Sequence, residues 1–428
     1  MLKRSVVTGE AACGIKTTIF ERSSKMKKFV CITLALVLML GLFAACNKTD
    51  DDTTATTKGT ADTTPIKIGI LGCHTGEYAV YGLAVKNGAT LYIDKINAAG
   101  GINGKQVKIV VYDNKADNAE AVNAFNRMVE EGITALIGDV LTGNTLAVVA
   151  EANPINMPMI TASATADSVT FDADSNKVYK NVFRTCFIDP FQGQKMAGYA
   201  KEILSAKTAA IIFETGNDYA IGLKEAFKTK AAQVGITIVQ EEGYAKGDKD
   251  FKSQMTNINA KNPDVVFCPN YYEDVGMIVT QGREAGIKGT FLGGDGWAGV
   301  KKFASADDLE GCVFTSGYAS GSTKEVKDFE TEYTAKYGKD TLNMFAATSY
   351  DAAMVLCNAL KVVEDKGGMT AGSDEYKQAV INAIRDNSDG VKGITSPEGY
   401  TFDAKNNPVK PVVVIKLAGG EETFDRIY

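Results

Sequence analysis

Two doubly wound α/β lobes with parallel sheets, joined by three crossovers, are the architecture this sequence predicts. Short apolar runs alternate with amphipathic helical stretches from residue 66 onward, and the series restarts after residue 187 with connections that are again short. Composition agrees. The 428 residues suggest two or three domains; 45% are hydrophobic and 23% charged, and 42 glycines stand against 9 prolines, which suits many strand-to-helix turns. This balance excludes a wholly disordered chain and a multi-span membrane protein.

The elements follow in order. IKIGILG (66–72) is a short apolar strand, and VKNGATLYIDKINAAGG (85–101) has helical spacing with a glycine stop. Next come the β-branched strand QVKIVVYDN (106–114), the helix DNAEAVNAFNRMVEEG (117–132), the strand ITALIG (133–138), the helix TGNTLAVVAEAN (142–153) and the strand MPMITAS (157–163). NVFRTC (181–186) closes the first series. The second runs through a helix over 191–204, the strand AAIIFE (209–214), the helix 219–235, the strand ITIVQEEGY (236–244), a helix over 250–260 and the strand DVVFCPNYY (264–272). A helix over 273–285 and the strands TFLGGDG (290–296) and CVFTSGY (312–318) end it. Three helical stretches fill 323–385, and 391–420 reads as a hairpin turning at Asn-Asn-Pro.

The N-terminus reads as an address. Lys25, Lys27 and Lys28 precede an uncharged run from Phe29 to Cys46 that ends in Ala44-Ala45-Cys46, the plan of a secretory signal. LFAAC is similar to the lipobox of bacterial lipoproteins, with Phe43 where that pattern prefers Leu. The resemblance implies cleavage before Cys46 and lipidation of its thiol, which would hold the protein at a membrane. An uncleaved anchor is the alternative reading. A natural start lies at Met26. Residues 47–64, NKTDDDTTATTKGTADTT, cannot build a core and read as a flexible tether.

Charge and rare residues narrow the chemistry. The formal net charge is −6, so no basic excess exists to neutralise nucleic-acid phosphates. The single histidine, His74, excludes metal sites and catalytic triads built on any other histidine. Beyond Cys46 there are five cysteines with neither disulfide nor metal spacing, four of them in apolar runs where a free thiol behaves as a small hydrophobe. No metal or cofactor is expected, and no nucleophile–base pair suggests an enzyme.

In open α/β sheets ligands sit beyond the carboxyl ends of the strands. Those ends are GCHTGEYAVYG (72–82), LTGNT (141–145), TASAT (161–165), ETGNDYA (214–220), NYYED (270–274) and DGW (295–297). They carry hydroxyls, tyrosines, one histidine, one tryptophan and a carboxylate at Asp295, a set able to hold a zwitterion. Hydroxyls and helix N–H groups suit a carboxylate, a buried anion suits an ammonium, and aromatic walls suit an apolar side chain.

From about 66 to 420 the chain resembles the extracytoplasmic solute-binding proteins of branched-chain amino-acid ABC transporters, of periplasmic-binding fold type I. The strings IKIGILGCHTGEYAVYG, KNGATLYIDKINAAGGINGKQVKIVVYDN, NVFRTC with FQGQ, KDFKSQMTNINAKNPDVVFCPNYYED and QGREAGIKGTFLGGDGW carry the likeness. The resemblance implies a carboxylate-binding hydroxyl at Thr142, a backbone contact at Ser163 and a threonine touching both ends of the amino acid at Thr165. It also implies second-lobe tyrosines at Tyr219 and Tyr271 and an ammonium partner at Asp295, where Glu is common. Tyr81 matches an aromatic of the side-chain pocket, with His74, Tyr78 and Trp297 as expected neighbours. A disulfide of some members would join positions held here by Ala116 and Leu141.

Each residue also has a plainer role. His74 can be a surface or wall residue, Trp297 and the tyrosines can be packing, Asp295 a turn cap and Thr142 a helix cap. GDGWAG (294–299) spells GxGxxG after a strand but lacks the helix and acid of a dinucleotide site. DADSN (172–176) opens like a calcium loop, but Phe183 replaces its terminal Glu.

The expected organisation is a signal over 1–45, a lipidated linker over 46–64, a first lobe of 65–187 and 317–394, and a second of 188–316 and 395–428. The expected function is capture of a branched-chain or other apolar amino acid by a monomeric, lipid-anchored receptor that delivers it to an ABC permease. A sensory module of the same fold and a binder of another small solute such as an amide are the alternatives.

Overall fold

The computed structural model describes residues 63–428. The expected signal, the lipidated Cys46 and the linker up to residue 62 lie outside the described residues.

The first lobe grows from β1 (Ile66–Gly72), α1 (Ala79–Ala98), β2 (Val107–Asp113), α2 (Asn118–Glu130), β3 (Ala135–Ile137), α3 (Thr142–Ala152), β4 (Met159–Thr161), the small hairpin β5 (Phe171–Asp172) and β6 (Lys177–Val178), and β7 (Val182–Arg184). Its five-stranded sheet has the order β2-β1-β3-β4-β7, and every pairing is parallel. Helices cover both faces, so Ile66, Ile68, Ile70, Leu136 and Ile160 are wholly buried, each contributing about 1.5–3 kcal/mol of apolar burial. The first helix starts six residues earlier than its apolar spacing predicts.

The second lobe follows as α4 (Asp189–Glu202), β8 (Thr208–Glu214), α5 (Asp218–Val234), β9 (Thr237–Tyr244), α6 (Lys252–Asn259), β10 (Val265–Phe267), α7 (Tyr272–Glu284), β11 (Thr290–Gly293), the single turn α8 (Ala306–Leu309) and β12 (Val313–Ser316). The chain then returns to the first lobe with α9 (Lys324–Tyr337), α10 (Met344–Lys366) and α11 (Asp374–Asp386), and ends in the hairpin β13 (Val413–Ala418) and β14 (Glu421–Ile427). The second sheet has the order β14-β13-β12-β11-β10-β8-β9, with β13 and β14 antiparallel at one edge. Helix α10 lies against α1 so closely that a side chain on Gly88 would meet the Ala346 carbonyl at 2.1 Å.

Two crossovers fall where expected, between β7 and α4 and between β12 and α9. The third does not. Residues 395–409 stay with the first lobe: the Phe402 ring meets Phe183 edge-on at 5.2 Å, and the Asn406 side chain donates to the Val182 carbonyl at 3.0 Å. The chain passes to the second sheet at Lys410–Val412, some sixteen residues beyond the expected position near 394. The Asn-Asn-Pro turn exists, with Asp403 N–H donating to the Asn407 carbonyl, but it belongs to a bridge between Phe402 and Pro408. The true terminal hairpin turns at Gly419-Gly420. Its outer strand, EETFDRI, is an exposed edge whose charges hide its strand character and discourage further pairing.

The crossovers are tied by polar contacts. Lys410 Nζ donates to the Thr185 carbonyl at 2.5 Å and to Thr395 Oγ1 at 2.9 Å, and Asp351 on α10 accepts from the N–H groups of Ile394 and Thr395. Burial pulls the Lys410 ammonium down to about 8. All five described cysteines are free and buried.

Candidate functional site

The carboxyl ends of both sheets face one another across a cleft. There the elements bring together Tyr81 from α1, Thr142 at the first position of α3, Ser163 after β4 and Phe345 on α10, against Tyr219 on α5, Tyr271 before α7, and Asp295 and Gly296 after β11. They enclose about 10 Å³, room for one water molecule. Aromatic rings occupy the rest. Tyr219 and Tyr271 stack at 5.0 Å, and Tyr81 meets Phe345 edge-on at 5.0 Å and Tyr271 at 5.8 Å.

The first lobe supplies an anion-binding end. Leu141 precedes α3, so no side chain caps that helix, and its first-turn N–H groups converge beside Thr142 with the positive end of the helix dipole. Ser163 Oγ donates to the Val140 carbonyl at 2.7 Å, and the Ser163 backbone N–H reaches Thr161 Oγ1 at 3.4 Å, a long bond that a ligand carboxylate could replace. Beneath this loop the buried Arg184 donates to the carbonyls of Ala164 and Ala166, each at 2.9 Å, and so fixes its path.

The second lobe supplies the anion. Asp295 is 1% exposed. Its Oδ1 accepts from Gln192 Nε2 at 3.1 Å, while Oδ2 is buried without a hydrogen-bond partner. Burial pushes its carboxyl up to about 6, against the pull of the Gln192 hydrogen bond. A second buried carboxyl, Asp189 at the start of α4, is held well above the usual range by burial and by Asp295. The turn after β11 can sit this close only because it is built of glycines. A side chain on Gly294 would meet the Tyr219 hydroxyl at 2.7 Å, and one on Gly296 the Asn270 carbonyl at 2.8 Å. This close approach accounts for the GxGxxG string without a dinucleotide.

Four contacts draw the lobes together. Tyr81 hydroxyl donates to the Gly296 carbonyl at 2.5 Å and accepts from the Tyr272 N–H at 3.2 Å. Tyr272 hydroxyl donates to the Glu77 carbonyl, and Lys249 pairs with the Glu77 carboxylate at 3.4 Å.

Of the ten expected site residues, Thr142, Ser163, Tyr219, Tyr271, Asp295 and Tyr81 line the cavity. Tyr78 stands behind that wall, edge-on to Tyr271 at 5.2 Å. Thr165 lies one layer deeper, its buried hydroxyl beside the Asp189 carboxyl. Trp297 is a correction. The one-turn helix Asp295–Trp297 swings the indole under the sheet, where it is wholly buried, stacks on Phe314 and donates to the Cys268 carbonyl at 2.8 Å. His74 is a second correction. Its backbone N–H donates to Asp113, and its ring packs beside Gly72 outside the cavity wall, where burial lowers it to about 4 and keeps it neutral. Sequence reasoning missed Gln192, Asp189 and Phe345. Their signal was present: FQGQ was part of the resemblance, and Asp189 opens the first helix after a crossover.

Among the described residues, no group of acidic, histidine or cysteine side chains could hold a metal ion, and no helix is long and apolar enough to cross a membrane. The periplasmic binding protein family model matches residues 65–421. The chain is 33% identical to the Leu/Ile/Val-binding protein BraC3 of Rhizobium johnstonii over 324 residues, 75% of this chain and 83% of that one. It is 30% identical to the leucine-, isoleucine-, valine-, threonine- and alanine-binding protein of Pseudomonas aeruginosa, over 70% of this chain and 79% of the relative. Among solved structures it is similar to the branched-chain amino-acid transporter substrate-binding protein LivJ of Streptococcus pneumoniae in complex with isoleucine, at 31% identity and a TM-score of 0.76, covering 85% and 99% of the two chains.

Proposed function

The chain belongs to the periplasmic binding protein family, and from that membership we propose that it is a receptor for a free branched-chain or other apolar amino acid, serving an ABC importer. One observation carries this reading: an uncapped helix N-terminus and a buried, half-unpartnered carboxylate face each other across the cavity. That pair complements the α-carboxylate and α-ammonium of one zwitterion. The relatives named for leucine, isoleucine and valine support it.

The mechanism is hinge closure. In the open form the α3 N-terminus, Thr142 and the Ser163 backbone take the carboxylate. Closure then brings Tyr219, Tyr271 and Asp295 over the ammonium and is held by the Tyr81 hydroxyl on Gly296 and Tyr272, while Phe345 shifts back to make room for the side chain. Thr165, one layer down, supports the floor beside Asp189. The closed face is what a permease would read. In this reading Cys46 carries lipid, the residues that follow tether the receptor to the outer face of the membrane, and the receptor works as a monomer.

The test begins with protein stripped of co-purifying ligand by unfolding and refolding. A thermal-shift screen against the twenty amino acids, followed by calorimetric titration of the hits, should single out leucine, isoleucine and valine. Stabilisation by no amino acid, with stabilisation by a sugar or phosphate, would sink the reading.

A further inference from the structure

We propose that Gln192 is the positioning residue that sets the ammonium-binding carboxylate of Asp295, linking it to the first two crossovers. The proposal rests on the reading of Asp295 given above and extends it to the group that controls Asp295.

Gln192 is wholly buried on the first turn of α4, just after the first crossover. A glutamine amide has two donor hydrogens and an acceptor oxygen with two lone pairs. All are used. Oε1 accepts from the Asp295 backbone N–H at 2.9 Å and from Thr315 Oγ1 at 2.7 Å. Nε2 donates to Asp295 Oδ1 at 3.1 Å and to Asp189 Oδ1 at 3.3 Å. The two acceptor contacts fix which end of the amide faces the carboxylates. Gln192 thus grips both the backbone and the side chain of Asp295, which leaves that side chain one rotamer. Oδ1 accepts from Gln192, and Oδ2 remains the buried oxygen without a partner.

Thr315 stands on β12, just before the second crossover, and the Asp189 N–H donates to the Thr165 carbonyl of the first lobe at 2.9 Å. The same amide is therefore bonded to groups at both crossovers. The aspartate at 295 is one methylene shorter than a glutamate, so holding its carboxylate in a single orientation matters more.

The experiment measures calorimetric affinities for L-leucine and for 4-methylpentanoate, its analogue without the amine, in the unmodified protein, Gln192→Met and Asp295→Asn. Gln192→Met removes all four bonds, but only an ammonium reads the Asp295 carboxylate that they orient, so leucine should weaken by about tenfold to hundredfold and the analogue stay within about threefold. A merely structural role would weaken both ligands alike and would overturn the proposal, as would an unchanged ratio. If Asp295→Asn binds leucine normally, the Asp295 reading itself fails; if it weakens leucine while Gln192→Met does not change the ratio, only the role of Gln192 fails.

Should Gln192→Met not fold, Gln192→Glu carries the same test. The titratable groups facing position 192 are Asp189, Asp295 and Tyr219. A protonated Glu reproduces the acceptor and the donor toward Asp295, though not the second donor toward Asp189; an ionised one cannot donate and repels Asp295. Relative to the unmodified protein at each pH, leucine affinity should be close at pH about 5 and at least about tenfold weaker at pH about 8. The same ratio at both overturns the proposal.

Discussion

Replacing Asp295 with Asn separates binding from stability, because it should move them in opposite directions. The side chain is buried, Oδ1 takes one hydrogen bond from Gln192, and Oδ2 has none. An Asn keeps the shape and can still accept from Gln192 Nε2. It removes the negative charge, so a buried ligand ammonium would lose its counter-ion, at a cost of about 3–5 kcal/mol. Leucine affinity should therefore fall by about two orders of magnitude or more.

The ligand-free protein should respond the other way. The carboxyl rises from 3.8 to about 6 on folding because burial disfavours its charge. A group raised in this way lowers stability as pH climbs from about 4 through 6, and the full penalty, up to about 3 kcal/mol, is present at pH 7.5. Asp295→Asn should thus raise the ligand-free Tm at pH 7.5 and leave it unchanged near pH 3. Calorimetric titration and thermal unfolding at the two pH values read both effects. Unchanged leucine affinity would refute the counter-ion argument, and a lower Tm at pH 7.5 would refute the burial argument.

Three further outcomes are expected. Leucine affinity should be flat between pH about 7 and 8 and weaken by about tenfold per unit below about 6, since binding an ammonium then requires Asp295 to release a proton; a flat titration down to pH 5 contradicts it. Tyr81→Phe deletes the hydroxyl that bonds Gly296 and Tyr272 across the cleft, so leucine binding should weaken by about 1–2 kcal/mol and small-angle scattering of the ligand-free protein should show a larger radius of gyration. Trp297→Phe should lower Tm through lost packing and the lost indole N–H bond to the Cys268 carbonyl, yet leave the leucine-to-valine affinity ratio unaltered; a shifted ratio would return Trp297 to the pocket.

The parallel strands were the most legible part of the fold. IKIGILG and AAIIFE read as continuous apolar runs because helices cover both faces of each sheet. Their carboxyl tips pointed to a candidate site, and Thr142, Ser163, Tyr219, Tyr271, Asp295 and Tyr81 line one cavity. Trp297 was misread because the direction of a one-turn helix is set by the sheet beneath it, not by the spacing Asp-Gly-Trp. Gln192 and Asp189 were passed over because polar residues on the first turn of a helix ordinarily face water; burial against β12 and the turn after β11 reverses that. The third crossover was misplaced because Tyr400, Phe402 and Asn406 look like strand and turn residues, whereas they are anchored to Asp351, Phe183 and Val182 of the first lobe.

The five buried thiols have a practical meaning. Burial raises Cys312 to about 11 and Cys186 and Cys357 to about 12, and it raises Cys73 and Cys268 too. Thiolate is the form that reacts, so these groups are silent toward oxidants and alkylating reagents while the lobes stay folded. No disulfide ties the described residues together, so the fold of residues 63–428 does not rest on thiol oxidation. Each sulfur also serves as an intrinsic clock: its labelling rate reports how often the region around it opens.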